Sequence, residues 1–312
     1  MALAVADSRQ ELRLTARNFF GVVQVLESEQ GDADWHQYAL KHGAITHGVQ
    51  FSSPRRRRQA TAYYTEDSGL GLALTELRRV REARGLPPGL RVGVLGLGIG
   101  TIAALTQEGD IARFYEINPK VISLAQGESG YFSYLADTLA RVEVVEGDAR
   151  ISLERELVRG EAQSFDVLAL DVFSSDSVPM HLLTEEAVAV YRKHLAPQGV
   201  LAMHISNGHL DLEPIVLAHA RKSGMYATLV INKTKGSALR SKWMLLSPDA
   251  EFSWGSTFEE AGATVHRLEL AGPVQLTWTD ERSSVLPVLR RSNPVVETRT
   301  LPRPPSAVPA RE

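Results

Sequence analysis

One decapeptide constrains this 312-residue chain more than any other feature: Val92-Gly93-Val94-Leu95-Gly96-Leu97-Gly98-Ile99-Gly100-Thr101. An apolar strand runs into a turn with glycine at every second position, and a helix is expected to begin near Thr101. Glycine lets the chain turn sharply and lets backbone approach a ligand without a Cβ in the way. A helix start adds free N–H groups. Such a turn in isolation is weak evidence, and its surroundings decide. Apolar, strand-like runs recur at 92–95, 113–117, 142–145, 167–170, 200–205 and 227–231, with helix-compatible segments at 118–126, 150–158, 184–195 and 211–223 between them. That alternation predicts a parallel, doubly wound α/β sheet. Residues 243–246 read as a further strand, expected to close one edge.

The flanks read differently. Residues 1–14 are expected to be a flexible N-terminus. The β-branched and aromatic segment 19–26, and two short strands in 35–51 broken at His42-Gly43, predict a small antiparallel β domain over 15–65. A helix follows, with Leu70, Leu74, Leu77 and Val80 at helical spacing and a stop at Gly85 and Pro87-Pro88. It opens the larger, Rossmann-like domain of residues 66–290. The tail, 291–312, carries five of the chain's 15 prolines and is expected to be disordered or extended.

Composition excludes several function classes. Net charge is −3, without the basic excess of a nucleic-acid binder. The run Arg55-Arg56-Arg57-Arg58 is therefore read as a solvated loop between the β unit and the first helix. There is no cysteine, which removes disulfides, thiolate metal sites and a cysteine nucleophile. No apolar run approaches the ~18 residues that span a bilayer, and the first residues are too short an apolar stretch for a signal peptide. A soluble cytoplasmic protein is expected.

The ligand is read from the loop and three acids. A dinucleotide fingerprint spaces its glycines G-x-G-x-x-G. Here the spacing is G-x-G-x-G through Gly96, Gly98 and Gly100, which leans toward an adenosine held against backbone. Glu116 ends the second strand of the sheet and can accept from both ribose hydroxyls, in a NAD site or an S-adenosyl site alike. Asp148, right after the third strand, can accept from the adenine amino group or cap the helix that follows. Asp171 closes the apolar strand 165–171. Three carboxylates at one rim make an electronegative pocket suited to a cationic ligand, such as a sulfonium or an amine. The connection 172–181 is long and polar enough to cover a substrate. His181, His204 and His209 match no metal-ligand spacing and are read as ordinary core or surface histidines; no metal is expected.

These residues resemble the spermidine synthase-like proteins, the polyamine aminopropyltransferases in the broad sense. The resemblance is carried by Arg17-Asn18-Phe19-Phe20-Gly21, His42-Gly43, His47-Gly48-Val49-Gln50, Tyr63-Tyr64, the glycine loop, Tyr115-Glu116-Ile117-Asn118-Pro119 and Gly147-Asp148-Ala149-Arg150. It continues through residues 171–184, His204-Ile205-Ser206-Asn207 and Trp278-Thr279-Asp280. It is strongest toward a bacterial branch whose members are often fused to a membrane transporter-like domain. It implies a seven-stranded S-adenosylmethionine-methyltransferase-type sheet with a small N-terminal β domain, and a homodimer. It also implies transfer of an aminopropyl group from decarboxylated S-adenosylmethionine to an amine, releasing methylthioadenosine. By motif, Glu116 is the ribose acid, Asp148 and Ala149 contact adenine, Asp171 with Tyr64 is catalytic, and Gln50 and Asp176 bind substrate.

The polyamine half departs from that pattern. The family's acid within the glycine loop is Ile99 here, its Tyr-His-Glu reads Tyr64-Thr65-Glu66, its second acid is Ser174, and its late Tyr-Pro pair reads Thr234-Lys235. An ammonium buried without carboxylates is costly, so putrescine specificity is not implied. The alternatives are a methyltransferase using intact S-adenosylmethionine, a non-catalytic nucleoside-binding domain and, more distantly, a NAD oxidoreductase.

Overall fold

The computed structural model describes residues 10–43, 45–172, 179–268 and 276–289. Two sheets organise them. The first is an antiparallel meander of β1 (Glu11–Asn18), β2 (Gly21–Ser28), β3 (Gln37–His42) and β4 (Ile45–Phe51). Its first strand starts at Glu11, inside the stretch expected to be flexible. Little in the sequence marks β1, whose side chains are mostly exposed. Pairing with β2 makes it a strand.

The arginine run follows as a series of turns. Two of its members serve the fold. The Arg56 guanidinium lies over the rings of Trp35 and Phe51, at 4.1 and 3.5 Å, and Arg57 pairs with Asp137 at 2.6 Å. Helix α1 (Gly69–Ala83) then begins at Ser68, whose hydroxyl caps the N–H of Gly71. Leu70, Leu74 and Leu77 are buried, as their spacing of one helical face requires.

The second sheet holds β5 (Arg91–Leu95), β6 (Ile111–Glu116), β7 (Arg141–Glu146), β8 (Phe165–Leu170), β9 (Leu195–His204), β10 (Tyr226–Ile231), β11 (Lys242–Ser247) and β12 (Thr264–Leu268). The order is β12-β10-β11-β9-β8-β5-β6-β7. Strands β5 to β9 pair in parallel, and β11 runs against both of its neighbours. The expected seven-stranded arrangement is present, and β12 extends it beyond β10. The strand at 243–246 is not at an edge. It lies inside the sheet between β9 and β10, and its residues Trp243, Met244, Leu245 and Leu246 are fully buried.

Side chains alternate between two cores, as the period of two requires. Val92, Val94, Val167, Ala169, Val200 and Ala202 face one layer, which they share with α1 and with Val23, Val25 and Leu40 of the meander. Leu95, Leu168, Leu170, Leu201 and Met203 face the other. There they meet residues of α4 (Ala149–Val158), α5 (Glu185–Lys193) and α6 (Glu213–Ser223), while α2 (Pro119–Ala125) and α3 (Tyr134–Asp137) lie in the first layer. A short α7 (Ser256–Glu259) packs on α1. Among the described residues no helix is long and apolar enough to cross a membrane.

The glycine loop departs from expectation. No α-helix begins at Thr101; a five-residue 3₁₀ turn, Thr101–Leu105, takes its place. The loop is therefore not the head of a long helix dipole, and its chemistry rests on its own backbone.

Candidate active site

The strand order reverses between β5 and β8, and ligands in such sheets sit beyond the carboxyl ends of the strands at that point. A cavity of about 280 Å³ opens there. Its floor is Gly96, Leu97 and Gly98. Glu116, Asp148 and Asp171 line it from the ends of β6, β7 and β8, and Phe20, Val23, Leu40, His42 and His47 of the meander close the other side. The loop needs its glycines for close approach. Gly96 and Gly98 have φ of +95° and +53°, and a Cβ at Gly98 would come 2.8 Å from the carbonyl oxygen of His47. Gly100 also has positive φ, +81°, yet it is not part of the cavity wall. Its N–H closes the turn onto Leu97 O at 2.9 Å. Ile99 is fully buried and sits in the core under Gly48. Its side chain points into the fold rather than into the cavity.

Glu116 is held by backbone. Its Oε2 accepts from Leu97 N–H at 3.1 Å and its Oε1 from Asn118 N–H at 2.8 Å. Burial pushes its carboxyl above the usual range, against the pull of these N–H groups. A carboxylate has about four lone-pair sites, so acceptor capacity remains for a ligand. Asn118 is fixed by Asn18 from the meander, whose Nδ2 donates to Asn118 Oδ1 at 2.7 Å.

Asp148 takes the helix-cap role and also pairs with a histidine. Its Oδ1 caps α4 by accepting from Ile151 N–H at 3.0 Å, and its Oδ2 lies 2.9 Å from His181 Nε2. Ala149, the first residue of α4, and His181 also line the cavity. The loop carrying His181 is pinned in turn by Arg150. The guanidinium donates to His181 O at 2.9 Å and grips Asp280 with two bonds of 2.6 and 2.5 Å.

Asp171 is the most constrained acid. Tyr64 donates its hydroxyl to Oδ2, and His204 Nδ1 lies 2.7 Å from Oδ1. Burial raises the carboxyl's pKa, but the hydrogen bonds from His204 and Tyr64 more than offset it, leaving it below the usual range. Burial drives Tyr64 well upward, so it stays a donor. Burial likewise takes His47 down to about 4, a neutral imidazole at physiological pH.

Two sequence expectations need correction. Gln50 is not in the cavity wall. Its Nε2 donates to Arg57 O at 2.7 Å and Ser133 Oγ at 3.0 Å, and its Oε1 accepts from Ser133 N–H at 2.8 Å. The amide is consumed in joining the meander to the loop before α3. His181 and His204 are not ordinary histidines, since each pairs with a cavity acid. The signal for His204 was available. Leu170 and Met203 are in register across β8 and β9, so the next residues, Asp171 and His204, end adjacent strands side by side. Asp176 lies outside the described residues, as does Ser174.

The cavity is suited to a polar ligand by an observation independent of motif. His47 Nε2 and Asn118 Nδ2 are buried, belong to residues of its wall, and have no hydrogen-bond partner among the described residues. Buried polar atoms are normally satisfied, and a polar ligand would satisfy them.

No family model matches the chain. A polyamine aminopropyltransferase of Vibrio vulnificus (strain CMCP6) is 32% identical over 115 residues, 36% of this chain. The chain thus spans about a third of that curated relative's length, 36%. Among solved structures, a probable spermidine synthase from Corynebacterium glutamicum ATCC 13032 has a TM-score of 0.59 at 18% identity, covering 82% of this chain and 91% of that one. Spermidine synthase from Thermotoga maritima gives 0.55 at 16%, covering 88% and 83%. The chain resembles a polyamine aminopropyltransferase in sequence over that stretch, and its fold is that of the spermidine synthases.

Proposed function

We propose that this protein is an aminopropyltransferase: it moves an aminopropyl group from decarboxylated S-adenosylmethionine to an amine and releases methylthioadenosine. The observation that carries the reading is Asp171, an anion at the cavity rim clasped by Tyr64 and His204, with Glu116 and Asp148 at the ends of β6 and β7 on the same rim. In this reading Glu116 accepts from the ribose hydroxyls, Asp148 and Ala149 meet the adenine edge, and Gly96 and Gly98 admit the nucleoside to the backbone. The amine nitrogen attacks the carbon next to sulfur. The N–C bond forms as the C–S bond breaks, and the sulfonium's electron pair stays on the thioether. Asp171 orients the amine and takes its proton. A free amine titrates near 10, so the attacking form must be selected and aligned, and alignment supplies much of the rate.

The reading divides the chain near residue 65 into a substrate-covering β domain and a nucleoside-binding domain of residues 66–290. It also carries a cytoplasmic homodimer, which light scattering of the purified chain tests. A second reading, methyl transfer from intact S-adenosylmethionine, is favoured by one observation: the position of the family's loop acid is Ile99, buried away from the cavity. Calorimetry with the decarboxylated donor, the intact donor and methylthioadenosine separates the two. Tight binding of only the intact donor would overturn aminopropyl transfer. In the same preparation Asp171→Asn should lower turnover by roughly 10²–10⁴, the contribution of a general base, with methylthioadenosine affinity little changed.

A further inference from the structure

His204 makes a fixed contact with Asp171 whose direction follows from its surroundings. Its imidazole lies flat on Trp243, with centroids 4.7 Å apart and planes 15° from parallel. Only 5% of the side chain is exposed. Nδ1 lies 2.7 Å from Asp171 Oδ1 and Nε2 lies 2.8 Å from Ser206 Oγ. Ser206 Oγ also receives the backbone N–H of Lys242 at 2.7 Å. An ionised carboxylate only accepts, so the ring nitrogen that meets Asp171 carries a proton. Nδ1–H therefore points at Asp171 Oδ1, and Ser206 holds the far edge of the ring.

We propose that His204 is a positioning residue for the transfer reaction: held against Trp243 and by the Lys242–Ser206 chain, it donates from Nδ1 and fixes Asp171 Oδ1 while Tyr64 fixes Oδ2. The proposal rests on the reading of Asp171 as the group that receives the amine's proton. Two lone-pair sites of Asp171 are taken by His204 and Tyr64, and the others remain for the substrate. The described titratable groups facing this pair are Tyr64 and Tyr63 ahead of α1 and His47 of β4.

The first test needs no turnover. Nitrogen NMR of the whole protein with labelled histidine, with the His204 signals assigned by their loss in His204→Asn, should show Nδ1 protonated. A wild-type His204 with a bare Nδ1 would overturn the proposal. The second test is kinetic. His204→Ala should lower kcat by roughly 10²-fold, the scale of a misplaced catalytic group, with methylthioadenosine affinity little changed. His204→Asn puts an amide N–H where Nδ1–H was and should restore most of that loss. Equal losses in the two variants, or nucleoside affinity falling in step with kcat, would defeat it. If the wild-type protein turned over no amine, the aminopropyl reading would fall, and the NMR result would still decide the tautomer.

Discussion

Replacing Gly96 by alanine should separate backbone strain from displacement of Asp171, the proposed base. At φ +95° an L-residue is strained, at a cost of about 1–2 kcal/mol. The new Cβ would also overlap the carbonyl oxygen of Asp171 and sit 3.0 Å from its carbonyl carbon. Carbons rest at about 3.5–4.0 Å, so the Asp171 backbone must retreat by roughly 0.5–1 Å. That carbonyl belongs to the residue whose carboxylate must meet the amine, and a shift of ~1 Å can cost about 10²-fold in rate. Gly100→Ala is the matched control. Its φ of +81° imposes similar strain, but its Cβ would meet the Leu135 side chain, Cδ2 at 2.7 Å, which can yield. Denaturant unfolding, methylthioadenosine calorimetry and single-turnover kinetics should be run on both variants. Both should lose about 1–2 kcal/mol of stability, and only Gly96→Ala should lose roughly 10²-fold in turnover. Equal turnover in the two variants would refute the reasoning.

Other outcomes follow from the site. Glu116→Ala should weaken methylthioadenosine by removing hydrogen bonds to a charged acceptor, each worth about 1.5–3 kcal/mol; an unchanged dissociation constant in a folded variant would remove Glu116 from the ribose. Putrescine should be a poor acceptor with the decarboxylated donor, since Ile99 leaves the cavity without the loop acid; robust spermidine formation would contradict this. Asp280→Asn should alter acid unfolding. The hydrogen bond from Arg150 holds Asp280 at about 2, below its ordinary 3.8. A depressed carboxyl stabilises the fold above its unfolded value and loses that contribution as pH falls through the folded one. The variant should be less stable near neutrality, and the difference should vanish between about pH 4 and pH 2, followed by circular dichroism.

Much of the sheet was legible because its strands are buried on both faces and read as apolar runs. Residues 92–95 and 167–170 are of that kind. β1 and β12 were not legible, because their side chains are largely exposed or half-buried; pairing makes them strands, and pairing is not a local property. The acids Glu116, Asp148 and Asp171 were legible because each ends an apolar run, and strand ends in such a sheet share a rim. His204 was missed because histidines were weighed as metal ligands, whereas its role follows from the register of β8 and β9. Gln50 was misplaced because a motif names a residue without saying where its amide is spent. Here Ser133, far along the chain, decides that.

The grip of Arg150 on Asp280 has a consequence for how the chain reports ligand. Arg150 follows Asp148 and Ala149 at the start of α4, and it also holds the carbonyl of His181, whose ring meets Asp148. If Asp148 and Ala149 hold the nucleoside as proposed, its contact and the anchoring of residues 276–289 meet at one side chain. By reciprocity, whatever favours one ordered arrangement favours the other by the same free energy. Loosening this late segment should lower nucleoside affinity from a distance, and nucleoside should guard the segment against proteolysis. Cleavage rate near Asp280 is therefore a gauge of occupancy that needs neither donor nor acceptor chemistry.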